Sequence, residues 1–313
     1  MNNNILSQLK PSKILGKGSE GVIILTHDNK YTVKIYISNY QKSLMFFNIM
    51  RYLQECKLPK TIYKSYLFTQ KENSLERYIE DNNLPNYFSY KNNNNLELLS
   101  SKYKMTKKMF EIMKTYDTSL KKFIEELKNK NIDTDLKINI LYSLFQQGLI
   151  TLFWLYIKKS IIHSDINYDN FFIQKTNKHK LSININNTLY NVKLFGYYLV
   201  IADFGYSKSI EMIPFSKNPD KLPLSILSDI YNPLYDINNF IKLFQMKFLN
   251  YDVHNIKINN YILSMNDLDY NLRDAYKRML KSYISDNDDL TNNIIIFKKL
   301  FTEYMNTYIF SKL

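Results

Sequence analysis

Between Ile161 and Ile173 the chain reads Ile-Ile-His-Ser-Asp-Ile-Asn-Tyr-Asp-Asn-Phe-Phe-Ile, a polar loop with apolar residues on both sides. Asp165 is a carboxylate able to take a proton from a hydroxyl, and Asn170 can offer an amide oxygen to a hard cation such as Mg²⁺. A polar turn between two strands would look the same, because short motifs recur by chance. Other stretches must decide. Gly16, Gly18 and Gly21 supply half of the chain's 6 glycines and stand together in Gly-Lys-Gly-Ser-Glu-Gly. Without a side chain, glycine lets backbone amides approach phosphate oxygens. Lys34, between Val33 and Ile35, could point to solvent, but one hairpin after the glycines it is placed to reach phosphates. A further acidic stretch, Asp203-Phe204-Gly205, ends a run of apolar residues.

The elements that must position these residues follow from patterning. Residues 13–37 predict three short strands, with a hairpin turn at His27-Asp28-Asn29-Lys30. Val22-Ile23-Ile24 is β-branched, so the glycines lie between two strands and do not open a helix. That arrangement predicts a flap over nucleotide phosphates and speaks against a dinucleotide fold. Residues 40–57 have helical periodicity, with Leu44, Phe47, Met50 and Leu53 on related faces. Strands are expected at Ile62-Tyr63, Tyr66–Phe68 and Met109–Met113, and a loop at Asn92–Asn95. Helices follow at 120–130 and 135–159. A β-rich insertion, 181–192, and a strand from Tyr197 to Ala202 precede a proline-containing loop at 206–234. From 235 onward the pattern is amphipathic and helical. The fold class is therefore α+β, with a strand-rich first region, residues 1–113, and a mostly helical second region, residues 114–313.

With 313 residues the chain can bury a substantial core. Its formal charge of +13 favours anionic partners, such as a nucleotide or an acidic or phosphorylated protein. The lysines are scattered, so nucleic acid is not the main partner expected. The abundance of Asn, Lys, Ile and Tyr, all with AT-rich codons, also reflects genome composition. A single cysteine, Cys56, excludes an intrachain disulfide and fits a reducing, cytoplasmic compartment. The start of the sequence lacks the apolar core of a signal peptide. Ile140–Ile157 imitates a membrane span but carries Gln146 and Gln147 near its middle, so it is read as a buried helix with no transmembrane segment expected.

In order, the chain offers a glycine flap, a strand lysine, a crossing point near 113–118, a long apolar helix, His-x-Asp-x-x-x-x-Asn and Asp-Phe-Gly. Over residues 13–245 this resembles the eukaryotic-type protein kinase superfamily. The resemblance implies a bilobal fold, with a small antiparallel β-sheet lobe carrying one helix and a larger, mostly α-helical lobe. It implies ATP and Mg²⁺ as cofactors and Ser/Thr hydroxyls of proteins, acidic ones among them, as acceptors. Gly16, Gly18 and Gly21 would cover the ATP phosphates and Lys34 would hold the α- and β-phosphates. Asp165 would be the catalytic base, and Asn170 and Asp203 the metal ligands. Met113 to Thr115 would form the adenine-binding hinge, with Ile112 at the back of the pocket. Asp236 would anchor the backbone of the catalytic loop, a plain helix N-cap being its other reading.

The departures from that family carry information. Ser164 replaces the arginine that pairs with a phosphorylated activation loop. Asn167 replaces a lysine that neutralises the transferred phosphate. An Ala-Pro-Glu motif is absent, and no acidic residue occurs between 35 and 54, so Glu55 is the first that could pair with Lys34. This layout resembles the divergent Ser/Thr protein kinases of large cytoplasmic DNA viruses, which would place the chain in host cytoplasm or a virion. Two other functions fit part of the pattern: a small-molecule phosphotransferase of kinase-like fold, and a nucleotide-binding pseudokinase.

Overall fold

The computed structural model describes residues 11–17, 21–36, 49–50, 52–53, 57–63, 65–71, 107–209, 232–249, 270–285 and 289–312. The fold is mixed α and β with antiparallel sheets, as the patterning predicts. The chain forms two compact units, Met1–Lys57 with Tyr63–Thr115, and Leu58–Ile62 with Tyr116–Leu313.

The first unit contains a five-stranded antiparallel sheet in the order β1-β2-β3-β5-β4. Its strands are β1 (Pro11–Lys17), β2 (Gly21–Thr26), β3 (Tyr31–Tyr36), β4 (Ser65–Lys71) and β5 (Lys107–Lys114). The β2–β3 turn forms where expected. Asp28 accepts from the Thr26 hydroxyl (2.7 Å) and the Lys30 amide (3.0 Å), and Asn29 takes the left-handed conformation (φ 56°) that asparagine tolerates. These bonds hold the Asp28 carboxyl below its usual range. One face of the sheet buries Ile24, Val33 and Ile112. Of the helix predicted at 40–57, Ile49, Met50, Tyr52 and Leu53 are helical and Lys57 lies outside any helix, among the described residues. The predicted loop at Asn92–Asn95 lies outside the described residues.

In the second unit, α1 (Leu120–Asn129) and α2 (Thr134–Lys159) are followed by β7 (Ile161–Ile162). Asp133 caps α2 by accepting from the Leu136 amide (3.2 Å), and Lys158 and Lys159 oppose the helix dipole at its end. Helix α2 is long and apolar enough to cross a membrane, but 89% of its apolar window is buried, which makes it the core helix of this unit. Its end is abrupt. Ser160 adopts φ 50°, a conformation that costs about 1 kcal/mol for a non-glycine residue, and Ile161 starts the next strand at once.

A three-stranded antiparallel sheet, β11-β8-β6, joins β6 (Thr118–Ser119), β8 (Phe171–Lys175) and β11 (Tyr197–Ile201). The predicted β insertion is a hairpin of β9 (Lys180–Ile185) and β10 (Thr188–Lys193), turning at Asn186-Asn187 with both residues left-handed. Within the proline-containing stretch predicted as loop from 206, Lys208–Ser209 forms β12 and pairs with β7. Three more helices are described: α3 (Pro233–Leu249), α4 (Tyr270–Ser285) and α5 (Leu290–Tyr308).

Aromatic packing fixes α3 against α2 and β8. Phe240 of α3 lies 6.0 Å from Phe145 of α2 and 5.2 Å from Phe171 of β8, ring centre to ring centre. All three are fully buried, which contributes about 2 kcal/mol or more apiece. The close approach needs Gly148. A methyl group there would sit 2.0 Å from the Phe240 ring. The segment 58–62 packs in this unit too, where the Thr61 carbonyl accepts from the Ile201 amide (2.7 Å) and its hydroxyl meets that of Thr151 (2.5 Å).

Candidate functional site

The loop 163–170 leaves the short strand β7, and its backbone turns sharply at Ser164 (φ 65°). A tight loop of this kind exposes backbone amides that need acceptors. Asp236, in the first turn of α3, supplies two. One carboxylate oxygen accepts from the His163 amide and the other from the Ser164 amide (2.9 Å). The N-terminus of α3 is capped separately by Asn232, whose side chain accepts from the Leu234 amide (2.9 Å). Asp236 is therefore the loop anchor and not a plain N-cap. Burial pushes its carboxyl above the usual range, opposed by His163, the two backbone amides and Lys208. Lys208 on β12 is in turn lowered by its own burial and partly restored by Asp236.

His163 is fully buried and holds the loop from inside. Its Nδ1 faces the Asp165 amide (3.3 Å), which can only donate, so Nδ1 accepts. Nε2 then carries the proton and donates to the Ala202 carbonyl (2.8 Å). The ring also lies 5.0 Å from that of Phe204. The Ser207 hydroxyl donates to the His163 carbonyl (3.2 Å). One imidazole thus ties the loop to the segment that carries Asp203.

Asp165 and Asn170 are brought together. The Asn170 side-chain amide donates to the Asp165 carboxylate (2.7 Å) and to its backbone carbonyl (2.8 Å). Asn167 donates to the other carboxylate oxygen (2.9 Å), and its own oxygen accepts from the Asp169 amide (2.9 Å). Each Asp165 oxygen keeps a second lone pair, so the group can still accept a proton from a hydroxyl. Asn170 turns its NH₂ to Asp165, leaving Oδ1 as its other polar atom. Its backbone carbonyl accepts from the Ala202 amide (2.9 Å), and Asp203 follows two residues after Ile201, where the β8–β11 ladder ends.

Asp203 is held in a left-handed conformation (φ 58°) and accepts from the Gly205 amide (3.2 Å). The strand before it is bolted to α2 by Gln147, which is fully buried. Its amide donates to the Tyr197 carbonyl (3.2 Å) and its oxygen accepts from the Leu199 amide (2.9 Å). Sequence reading placed Gln147 in an apolar helix without assigning it a part. A polar residue in such a run was the available signal.

In the first unit, Lys34 lies in the middle of β3 and is buried. Gly16 pairs with Ile23 beyond a bulge in β1, and Gly21 begins β2. Gly16 and Gly21 thus belong to an antiparallel strand pair. Gly18 and Glu55 lie outside the described residues. Ile112 pairs with Val33, which puts it on the opposite sheet face from Lys34. Strand alternation gives Lys34's face to Glu111 and Met113 instead. Met113 pairs with Thr32 and Ser65 within the sheet, and the Thr115 amide donates to the Lys30 carbonyl (2.9 Å).

Among the described residues, no three His, Cys, Asp or Glu side chains converge as a metal cluster. Mg²⁺ does not need one, since it takes one or two protein carboxylates and completes its shell with phosphates and water. Asn170 and Asp203, on the segments at that end of the β8–β11 ladder, are oxygen-bearing side chains of the type that chemistry uses. No protein-family model matches the sequence, and no curated protein matches it.

Proposed function

We propose that the chain is an ATP- and Mg²⁺-dependent protein kinase acting on Ser/Thr hydroxyls, its two units being the lobes of a protein-kinase-like fold. The observation that carries this reading is the Asp165 carboxylate, gripped by Asn167 and Asn170 on a loop whose backbone Asp236 anchors. Phosphoryl transfer asks a protein chiefly for positioning and charge neutralisation.

In this reading Asp165 orients the acceptor hydroxyl and takes its proton as the hydroxyl oxygen bonds to the γ-phosphorus and ADP departs. Asn170 and Asp203 hold Mg²⁺, which neutralises phosphate charge when bound. Lys34 and the backbone around Gly16, Gly18 and Gly21 hold the phosphates. Ser164 stands where a phosphate-sensing arginine would be, so activity does not depend on a phosphorylated activation loop paired at that position. The composition and the relaxed His-Ser-Asp loop favour a kinase like those of large cytoplasmic DNA viruses, working in host cytoplasm or a virion.

The test is transfer from γ-labelled ATP with Mg²⁺ to a panel of proteins, small alcohols and amines, beside Asp165→Ala. Label on protein Ser/Thr that disappears in the variant is the expected result. Label on small molecules only would move the acceptor class. Nucleotide binding without any labelling would leave a pseudokinase.

A further inference from the structure

The β9–β10 hairpin has one face that the fold uses and one that it leaves open. Leu181, Ile183 and Ile185 of β9 and Tyr190 and Val192 of β10 are buried. Lys180, Ser182, Asn184, Leu189, Asn191 and Lys193 are exposed. Tyr190 holds the buried face in place. Its ring meets Phe153 of α2 (6.3 Å) and Phe310 after α5 (4.9 Å), and its hydroxyl donates to Asn306. The outer face is therefore presented by a fixed scaffold.

Register arranges that outer face in rows. Lys180 stands opposite Lys193, Ser182 opposite Asn191 and Asn184 opposite Leu189. The middle row is satisfied within itself, the Ser182 hydroxyl donating to Asn191 Oδ1 (2.7 Å). The first row is not. Like charges directly opposite each other on one sheet face repel, with Cβ atoms roughly 5 Å apart. The pair is not at a frayed end, because the Leu194 amide donates to the His179 carbonyl (2.8 Å) beyond it. The Lys193 ammonium lies 5.0 Å over the Phe195 ring, a contact that steadies the cation without neutralising it. Among the described residues, neither lysine has an ion pair. The surrounding sequence supplies no carboxylate either, since residues 170–202 contain 4 lysines and no Asp or Glu.

We infer that the outer face of the β9–β10 hairpin docks an acidic, extended segment of a partner protein. Its carboxylates meet the Lys180–Lys193 pair, and an apolar side chain lies against Leu189, which is 55% exposed at the other end of the face. From Lys180 to Asn184 the face runs roughly 13 Å, the length of about five extended residues. The chemistry favours a polypeptide over other polyanions. A nucleic-acid strand calls for cations that track a repeating phosphate and for aromatic rings to stack on, whereas here one cation pair is followed by amides and a leucine. An anionic membrane calls for a larger basic cluster. The hairpin lies at the Lys175–Tyr197 end of the β8–β11 ladder, opposite the Phe171–Ile201 end that leads to Asn170 and Asp203. Docking there leaves the Asp165 loop clear, and the inference stands whether or not the chain transfers phosphate.

The experiment measures, by fluorescence anisotropy at low salt, binding of a labelled glutamate-rich peptide carrying one leucine to the full chain. Beside it stand the same peptide with glutamine for glutamate, an oligothymidylate and phosphatidylserine vesicles. The variants are Lys180→Glu, Lys180→Glu/Lys193→Glu, and Lys277→Glu/Lys281→Glu, the last making the same change of net charge at exposed positions of α4. The wild type is expected to bind the glutamate peptide and not the glutamine one, with an affinity that falls as salt rises. The hairpin double variant should bind about tenfold more weakly or worse, and the α4 double variant less than about twofold more weakly.

Lys180→Glu separates docking from a change of fold. It replaces opposed like charges with an opposite pair, so the thermal midpoint should rise while peptide affinity falls. Equal weakening by the α4 variant would reduce the effect to overall charge and overturn the site. No binding by the wild type would also overturn it, leaving the lysines as solvated groups that keep strand edges from pairing. Tighter, hairpin-dependent binding of the oligothymidylate or the vesicles would overturn the class of partner.

Discussion

Asp165 and Lys34 reach their places by different physical means. Asp165 sits on a loop with left-handed Ser164 beside it, and that loop is tied down from several sides. Asp236 takes two of its amides, His163 links it to Ala202, and Asn167 and Asn170 grip the carboxylate. Lys34 lies within a regular strand, and the ladders to β2 and β5 fix its backbone. A loop has no repeating hydrogen bonds of its own, so each turn must be secured by a side chain brought from elsewhere. A strand inherits its direction from its neighbours. It follows that the loop is vulnerable at single anchoring side chains, whereas the strand is vulnerable to changes of register.

The largest effect that would break this contrast is expected at Asp203→Ala. Mg²⁺-dependent transfer should fall by about 10³-fold or more, with the urea midpoint of unfolding little changed. Unchanged turnover would remove Asp203 from the metal site. Next comes Asp236→Asn, which offers an NH₂ to one of two backbone amides that need acceptors. Stability should drop by about 3 kcal/mol and transfer should fall, while Lys34-dependent nucleotide affinity is retained. Equal losses of nucleotide affinity and transfer would show that the two regions are not independently built.

A smaller effect is expected at Gly148→Ala, which collides with Phe240 and displaces the helix that carries Asp236. A loss of about 2 kcal/mol in urea unfolding is expected, with reduced transfer as a secondary result. The smallest is Tyr168→Phe, which removes the bond from the phenol to the Leu243 carbonyl and should cost about 1 kcal/mol. Burial pushes the Tyr168 hydroxyl up to about 12 from its ordinary 10.0. Its folded value is raised, so its contribution is fully present below pH 10 and is lost as pH rises toward 12. Thermal unfolding of the wild type should therefore fall more steeply over that window than that of the variant.

Much of the local order was legible in the chain. The Asp28-Asn29 turn, the alternation of β3 and β5 and the apolar run of α2 each depend on residues close in sequence, where propensity and periodicity act directly. Asp236 could be singled out as a loop anchor only by family resemblance. Gln147 was visible as a polar residue in an apolar helix, but its bonds to Tyr197 and Leu199 span about fifty residues and leave no periodic trace.

By itself the sequence determined the set of chemical groups: Asp165, Asn170 and Asp203 as oxygen donors, Lys34 as the strand cation, and glycines between two strands. Local patterning suffices for that, because the type and spacing of residues set the elements they form. Tertiary structure decided which groups meet. The register of β3 on β5 put Glu111, and not Ile112, on the lysine's face. The packing of Phe240 on Gly148 seated α3, whose Asp236 holds the loop that presents Asp165. Both decisions join residues far apart in the chain, where contact is fixed by burial and pairing and not by sequence distance.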